Sequence, residues 1–223
     1  MRDSQGSVKR AIMAARTGIW ASLAMAAALG ASAGTSLAET AVYSNLPGID
    51  RSSMTGVDGV WRGDEVTLAG TVRELTRLEI PLISGDGTTD LLARIYLNDG
   101  SDGKPGTVLW DSGLLDDVPL SDGYNLVSID IPNVTVPDTI TWAYVLTDQQ
   151  TTTAINSKFY DPPSIGSSSP DFYWWNSGVS GWVQNEHFGH ANLGGAIYAV
   201  PEPATLGFFA AGACLVLRRR RRA

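Results

Sequence analysis

The sequence has a single cysteine, Cys214, among its 223 residues. An intrachain disulfide is therefore excluded, even for an exported protein in which one would be permitted. Cys214 lies in an apolar C-terminal run, where we expect it to fill apolar space, with lipidation as the alternative. The folded part of the chain must hold together by packing, with a bound cation as the one further stabiliser to consider.

Catalytic motifs are also scarce. The sequence contains no Gly-x-Ser-x-Gly elbow and no phosphate-binding loop. Its two histidines lie in Glu186-His187-Phe188-Gly189-His190, where the glutamate precedes both histidines, whereas a zinc protease needs it between them. A polar loop is the preferred interpretation of this segment over a metal site. We expect a noncatalytic protein, although the many carboxylates leave a glycosidase pair, or another hydrolase, as an alternative.

Basic residues are few in the middle of the chain. Residues 39–199 hold seven Lys and Arg against 21 Asp and Glu, a net charge of −14, whereas the whole chain carries −7. Most of the positive charge is thus confined to the two ends. An acidic body repels phosphate backbones, so nucleic acid is excluded as a partner. The roughly 160 residues of this body are enough to bury a stable core.

Residues 1–38 have the organisation of a signal peptide. A basic stretch ending at Arg16 is followed by an apolar run, residues 18–29, that is too short for a stable membrane span. Small residues at Ser36 and Ala38 predict cleavage by signal peptidase after Ala38, with residues 31–33 as a second candidate. An uncleaved N-terminal membrane anchor is the alternative. Lys9-Arg10 is not a twin-arginine pair, which favours the general secretory route.

The C-terminus has three parts in a fixed order. Val200 is followed by Pro201-Glu202-Pro203, and the prolines leave an extended, accessible peptide. The apolar run 204–217 would span about 21 Å as a helix, short of a bilayer core of about 30 Å. Snorkelling side chains and local thinning of the bilayer can cover that deficit. The run ends in Arg218, Arg219, Arg220, Arg221 and Arg222, which favour the cytoplasmic side of a membrane.

This tripartite tail, residues 200–223, resembles the PEP-CTERM sorting signal. The resemblance implies an exosortase-type processing enzyme as a partner, export, anchoring through a C-terminal transmembrane helix, and then release to the cell surface or the extracellular matrix of bacteria that make exopolysaccharide. The same tail has been described as an ice-binding-protein C-terminal motif, which concerns the tail and not the body. An ordinary tail anchor with a chance Pro-Glu-Pro is the alternative.

The body, residues 39–199, shows period-two apolar alternation in place of helical periodicity. The clearest alternations bury one face at Leu78, Ile80 and Leu82; Leu91, Ala93, Ile95 and Leu97; Val127, Ile129 and Ile131; and Ile140, Trp142, Tyr144 and Leu146. Shorter candidate strands are Val66–Leu68, Thr107–Trp110, Phe172–Trp175, Gly181–Val183 and Ala196–Val200. Pro81 predicts an edge strand or a bulge. Nine or ten short strands predict an all-β fold, a jelly-roll-like β-sandwich.

The segment from Tyr96 to Trp110 contains an Asn-Asp-Gly loop that leaves through Pro-Gly toward Leu-Trp. It resembles a segment that recurs in the bodies of PEP-CTERM-tailed proteins, which implies a shared fold and no particular reaction. Its oxygen-bearing residues Asn98, Asp99 and Asp102 make it the best calcium candidate of the chain. The loop is not an EF-hand, because Leu109 occupies the position of the bidentate glutamate. A plain hairpin loop without metal is the preferred interpretation, and no cofactor is expected otherwise.

Aromatic residues concentrate near the C-terminal end of the body, at Phe172-Tyr173-Trp174-Trp175 and at Trp182. Exposed rings of Trp174, Trp175 and Trp182 could stack on sugars, whereas the same rings could instead fill the core. The leading hypothesis is a noncatalytic surface or matrix protein that binds extracellular polysaccharide. Ice binding is a further alternative, but it needs a flat threonine array, and Thr151-Thr152-Thr153 alone is not one.

Overall fold

The structure is a computed structural model that describes residues 38–46, 49–175, 178, 181–185 and 192–201, with backbone only at 49–52 and 170–171. Residue contacts divide the chain into two units, Met1–Ala38 and Glu39–Ala223, and the described fold belongs to the second. The predicted signal peptide up to residue 37, the two histidines and the tail after Pro201 lie outside the described residues. Within the described ranges no helix has the length and apolarity needed to cross a membrane.

Fourteen strands and one short 3-10 turn, Ser101–Gly103, make up the described fold. The strands are β1 (Thr40–Ser44), β2 (Ile49–Thr55), β3 (Trp61–Thr67), β4 (Glu74–Ser84), β5 (Gly87–Tyr96), β6 (Val108–Asp111), β7 (Leu115–Leu120), β8 (Gly123–Thr135), β9 (Thr139–Thr151), β10 (Asn156–Asp161), β11 (Ser167–Trp175), β12 (Val183–Asn185), β13 (Asn192–Leu193) and β14 (Ala196–Val200). The prediction of an all-β fold is confirmed, and the number of strands exceeds the predicted nine or ten.

The strands form two seven-stranded sheets in which every named pair is antiparallel. Sheet 1 has the order β1-β14-β4-β10-β13, with β2 beside β10 and β8 beside β4. Sheet 2 has the order β12-β11-β3-β9-β5-β6, with β7 beside β5. Two antiparallel sheets agree with a sandwich, while the finer jelly-roll connectivity stays a prediction.

One core is shared by the two sheets. Leu78, Ile80 and Leu82 of sheet 1 are fully buried in the same cluster as Trp142 and Leu91 of sheet 2. Period-two alternation sends these side chains to the inner face of each strand, as predicted. Full burial of each such side chain stabilises the fold by about 1.5–3 kcal/mol. Packing of this core is therefore the main source of stability in a domain without disulfides.

Pro81 was expected on an edge strand or at a bulge, but it lies in the middle of sheet 1, in regular register with β8. It pairs with Leu126 of β8 on one side. On the other side, the pairing of β4 with β14 ends at Glu79 and its pairing with β10 begins at Leu82. Pro81 thus occupies the gap between two consecutive neighbours, where a missing N–H breaks no ladder bond on that side.

Several strands differ from their predicted bounds; β3 and β11 begin earlier, at Trp61 and Ser167, and β6 is Val108–Asp111. Leu97 was expected on the buried face of its strand, yet β5 ends at Tyr96 and Leu97 is half-buried. A register shift between Ile95 and Tyr96 against β6 interrupts the alternation at this point. The strand expected at Gly181–Val183 is found later, as Val183–Asn185.

Candidate functional site

The three tryptophans that are candidates for sugar binding lie on two faces of sheet 2. Trp174 follows Phe172 on the inner face and packs against the shared core. Trp175 lies on the outer face, where it joins Trp182 in a separate cluster. Each of the three is half-buried. Strand alternation places neighbours such as Trp174 and Trp175 on opposite faces, so the three do not share one surface, and sugar binding by any of them stays a prediction.

The outer aromatic cluster comprises Trp61, Tyr96, Trp175 and Trp182, which pack with Ala143, Val145 and Leu92. Its positions follow from register, because β11 pairs Trp175 with Trp61 and β9 pairs Ala143 with Gly63. Gly63 and Ala143 leave a row of small residues on this face. A Cβ on Gly63 would lie 2.9 Å from the Cβ of Ala143 and 2.9 Å from the carbonyl oxygen of Trp142. The small row is therefore closely packed even without a side chain on Gly63.

Trp182 is the centre of this cluster. Its ring meets Trp61 edge-on, with centroids 6.4 Å apart at 74°, and meets Tyr96 at 5.5 Å and 78°. Edge-to-face pairs of this kind contribute about 0.5–1.5 kcal/mol each beyond their buried area. Two such contacts hold Trp182 in a defined orientation while part of its surface remains accessible.

A charged pair borders the aromatic rings. Arg94 on β5 lies over the ring of Trp61, 4.7 Å from its centroid, and donates from Nε to Oδ2 of Asp111 at 2.6 Å. Both side chains are partly exposed, so their ion pair contributes little to stability by itself. Its effect is to fix a guanidinium and a carboxylate beside the rings, where each can hydrogen-bond to a bound molecule.

A second polar group lies along the same outer face. Asn98 donates to Oε2 of Glu65 at 2.8 Å and accepts at Oδ1 from the Thr141 hydroxyl at 2.7 Å. The register supports this grouping, since Thr141 pairs with Glu65 on one side and with Tyr96 on the other. Partial burial raises the pKa of Glu65. Hydrogen-bonding groups thus lie next to aromatic rings, an arrangement suited to a polyhydroxylated ligand.

The calcium candidates Asn98, Asp99 and Asp102 are placed in the β5–β6 loop, where Asn98 and Asp99 hydrogen-bond to other residues of the protein. The backbone N–H of Thr107 donates to Oδ1 of Asp99 at 2.6 Å, and its hydroxyl donates to Oδ2 at 2.7 Å. These bonds lower the pKa of Asp99. Asp102 is exposed with φ of 58° in the 3-10 turn. In the described part of the chain no three His, Cys, Asp or Glu residues group as for a metal ion, and calcium binding stays a prediction.

Sequence reasoning missed Trp61, Tyr96 and Arg94 as members of the candidate site. Tyr96 appears only as the start of the segment that ends at Trp110, and Trp61 lies before the short strand predicted at Val66–Leu68. No apolar alternation marks the start of β3, because Trp61 and Gly63 alternate with the charged residues Arg62 and Asp64. Their association depends on pairing between strands that are distant in sequence, which alternation within one strand does not reveal.

The two ends of the described fold are close to the predicted processing points. Ala38 is exposed and precedes β1 by one residue. At the other end, β14 ends at Val200, and Pro201 is the last described residue. Cleavage after Ala38 or beyond Val200 would therefore leave every described strand complete.

Comparison with known protein families gives a match at this C-terminal end. Residues 199–222 match the family described as the PEP-CTERM protein-sorting motif. The chain carries a PEP-CTERM sorting motif. The match includes Pro201, Glu202, Pro203 and Arg218–Arg222, the residues on which the resemblance was recognised. Comparisons with curated proteins and with solved structures gave no match.

The motif determines how the protein is exported and processed. A PEP-CTERM chain is exported, carries its membrane-anchored sorting signal at the C-terminus, and is a substrate of an exosortase. The match starts at Ala199, inside β14, so the sorting motif begins within the folded domain. The activity of the domain itself must be inferred from its surface.

Proposed function

We propose that the two-sheet domain is a noncatalytic carbohydrate-binding module of a cell-surface or extracellular-matrix protein, with exopolysaccharide as its partner. The observation that carries this proposal is the outer aromatic cluster, in which half-buried Trp175 and Trp182 lie beside fixed hydrogen-bonding groups. Aromatic ring faces bind sugars by burying apolar surface, at a small cost in side-chain entropy. Arg94, Asp111 and Glu65 provide the polar contacts.

Neutral glycans are the ligands that fit this outer face. The body carries a net charge of −14, which disfavours polyanionic chains approaching a broad open surface. Ring stacking with a few hydrogen bonds gives affinities in the millimolar to micromolar range. Such weak single sites suit a matrix protein, because many copies along one polysaccharide act together.

The test is titration of the full chain, purified in mild detergent, with neutral and acidic oligosaccharides, followed by tryptophan fluorescence. Neutral oligosaccharides should change the emission, and Trp175→Ala or Trp182→Ala should abolish the change. Trp174→Ala is the matched control, because Trp174 is the neighbour of Trp175 in β11 but its ring lies on the inner face of the sheet. If no neutral sugar alters the emission, or if only Trp174→Ala abolishes the response, the proposal is wrong.

The same samples distinguish a hydrolase from a binding module. A glycosidase would release reducing ends from the polysaccharide during incubation, and Glu65→Gln would stop that release. A binding module leaves the polymer length unchanged. Ice binding gains no support, since Thr151 ends β9 while Thr152 and Thr153 lie in the following bend.

A further inference from the structure

Arg62 is a buried cation on the inner face of sheet 2. It alternates with the outward-facing Trp61, so its side chain points between the sheets, where only 3% of it is exposed. Desolvation lowers the pKa of Arg62. A charge in this position is unfavourable unless other groups compensate for the water that it has lost.

The groups that replace water around the Arg62 guanidinium are uncharged, and they do not satisfy all of its N–H donors. The guanidinium donates to the carbonyl oxygen of Thr55 at 2.7 Å and to the hydroxyl of Ser157 at 3.3 Å. The Tyr144 hydroxyl also donates to Ser157, at 2.6 Å. A guanidinium has five N–H donors, so three of them have no acceptor among the described residues. No described carboxylate lies within ion-pair distance of Arg62.

A cavity of about 550 Å³ adjoins this arginine. It lies where the end of β2 and the β2–β3 connection meet β3, β11 and β12. Its apolar wall consists of Met54, Val57, Val60, Phe172 and Trp174. Its volume is within the range of about 300–1,000 Å³ that small-molecule sites occupy. An apolar cavity with one incompletely paired cation in its wall has the composition of a binding site for an organic anion.

We propose that this cavity binds a small organic carboxylate, whose anionic group accepts hydrogen bonds from Arg62 while its body packs against Trp174. The guanidinium fork matches a carboxylate in geometry and retains enough free donors for a two-point contact. A single cation matches a monoanion better than a dianion. The acidic surface does not prevent entry, since at physiological salt its field is screened over about 8 Å.

This site is independent of the carbohydrate proposal. Arg62 and Trp174 lie on the inner face of sheet 2, whereas the outer aromatic cluster lies on the opposite face. Two sources could supply the ligand chemistry: a free hexuronate sugar, or a free aromatic acid. Glucuronate and benzoate represent these two sources, and glucose and benzyl alcohol are their uncharged counterparts.

The experiment measures the Tm of the full chain in mild detergent with each of the four compounds, at equal sodium concentration. We expect glucuronate or benzoate to raise the Tm by about 2–4 °C at saturating concentration and the uncharged compounds to leave it unchanged. A larger shift with glucuronate assigns the site to an acidic sugar, and a larger shift with benzoate assigns it to an aromatic acid. Equal shifts with charged and uncharged compounds, or no shift at all, would overturn the proposal.

Variants locate the effect. Arg62→Met should remove the shift, whereas Arg94→Met, which changes an arginine on the outer face, should keep it. Retention of the shift in Arg62→Met would also overturn the proposal. Should Arg62→Met fail to fold, conservative ring changes give the answer: the carboxylate-induced change in tryptophan emission should disappear in Trp174→Phe and persist in Trp175→Phe. The opposite pattern would contradict a site at Arg62.

Discussion

Thr40 of β1 is directly paired with Ala199 of β14, so the first and last strands of the described fold lie side by side. Ala199 is fully buried and pairs on its other side with Leu75 of β4. The predicted signal-peptide junction and the start of the sorting motif therefore meet at one edge of sheet 1.

The exported protein should begin at Glu39. Cleavage after Ala38 leaves β1 complete, and it keeps the Glu39 carboxylate that pairs with Arg77 at 3.0 Å. N-terminal sequencing of the secreted protein is the measurement. Replacing the small residue with Ala38→Lys should block cleavage at this point, while Glu39→Gln should not. A secreted product that still starts at Met1 would contradict the prediction.

Processing of the sorting motif should leave a product that ends at Val200 or later. Removal of Ala199 would cost a buried residue paired on both sides, so cleavage before it would damage sheet 1. Intact-mass measurement in cells that contain an exosortase should show loss of Arg218–Arg222. Cells without the enzyme, and a variant with alanine at 201–203, are the controls that should keep the full tail. Full-length protein in the exosortase-containing cells would count against this expectation.

The sequence predicted the interior strands because burial on one face leaves a pattern within each strand. Leu78, Ile80 and Leu82 alternate as expected and are fully buried. β10 was missed, since Lys158 and Ser157 look exposed in sequence but are buried by strands far away in the chain. The outer aromatic cluster could not be predicted for the same reason: Trp61 and Trp175 become neighbours only through pairing of β3 with β11.

A matched pair of leucines on adjacent strands tests the shared core. Leu78 on β4 is fully buried, whereas Leu126 on β8 is 46% exposed. Leu78→Ala should lower the free energy of unfolding by about 2–5 kcal/mol through lost burial and the cavity left behind. Leu126→Ala should change it by no more than about 0.5 kcal/mol. Urea denaturation measures both, and equal losses would show that the core does not lie where the two sheets meet.

Asp64 should make the domain less stable as pH rises from acid toward neutral. Its side chain is fully buried; the Ser168 hydroxyl donates to Oδ1 at 3.0 Å, and Oδ2 has no partner among the described residues. Burial raises the pKa of Asp64 well above its ordinary value. Above the unfolded-state pKa of about 3.9, the folded protein therefore binds more protons than the unfolded chain. By linkage, stability falls with rising pH until the folded-state pKa is passed, and the loss then persists.

Asp64→Asn removes this titration while keeping an oxygen for Ser168, so the variant should equal or exceed the wild type in stability at neutral pH. The informative quantity is the difference in unfolding free energy between the two proteins, measured by urea denaturation from about pH 4 to 8. It cancels the contribution that Glu65 makes by itself, whose pKa burial also raises, because Glu65 is present in both. The repulsion between Glu65 and Asp64 remains in the difference, and it also raises the pKa of Asp64. Asp58→Asn, at an exposed position, is the control for the substitution itself. If the Asp64→Asn difference does not change with pH, the buried carboxylate does not titrate as its surroundings require.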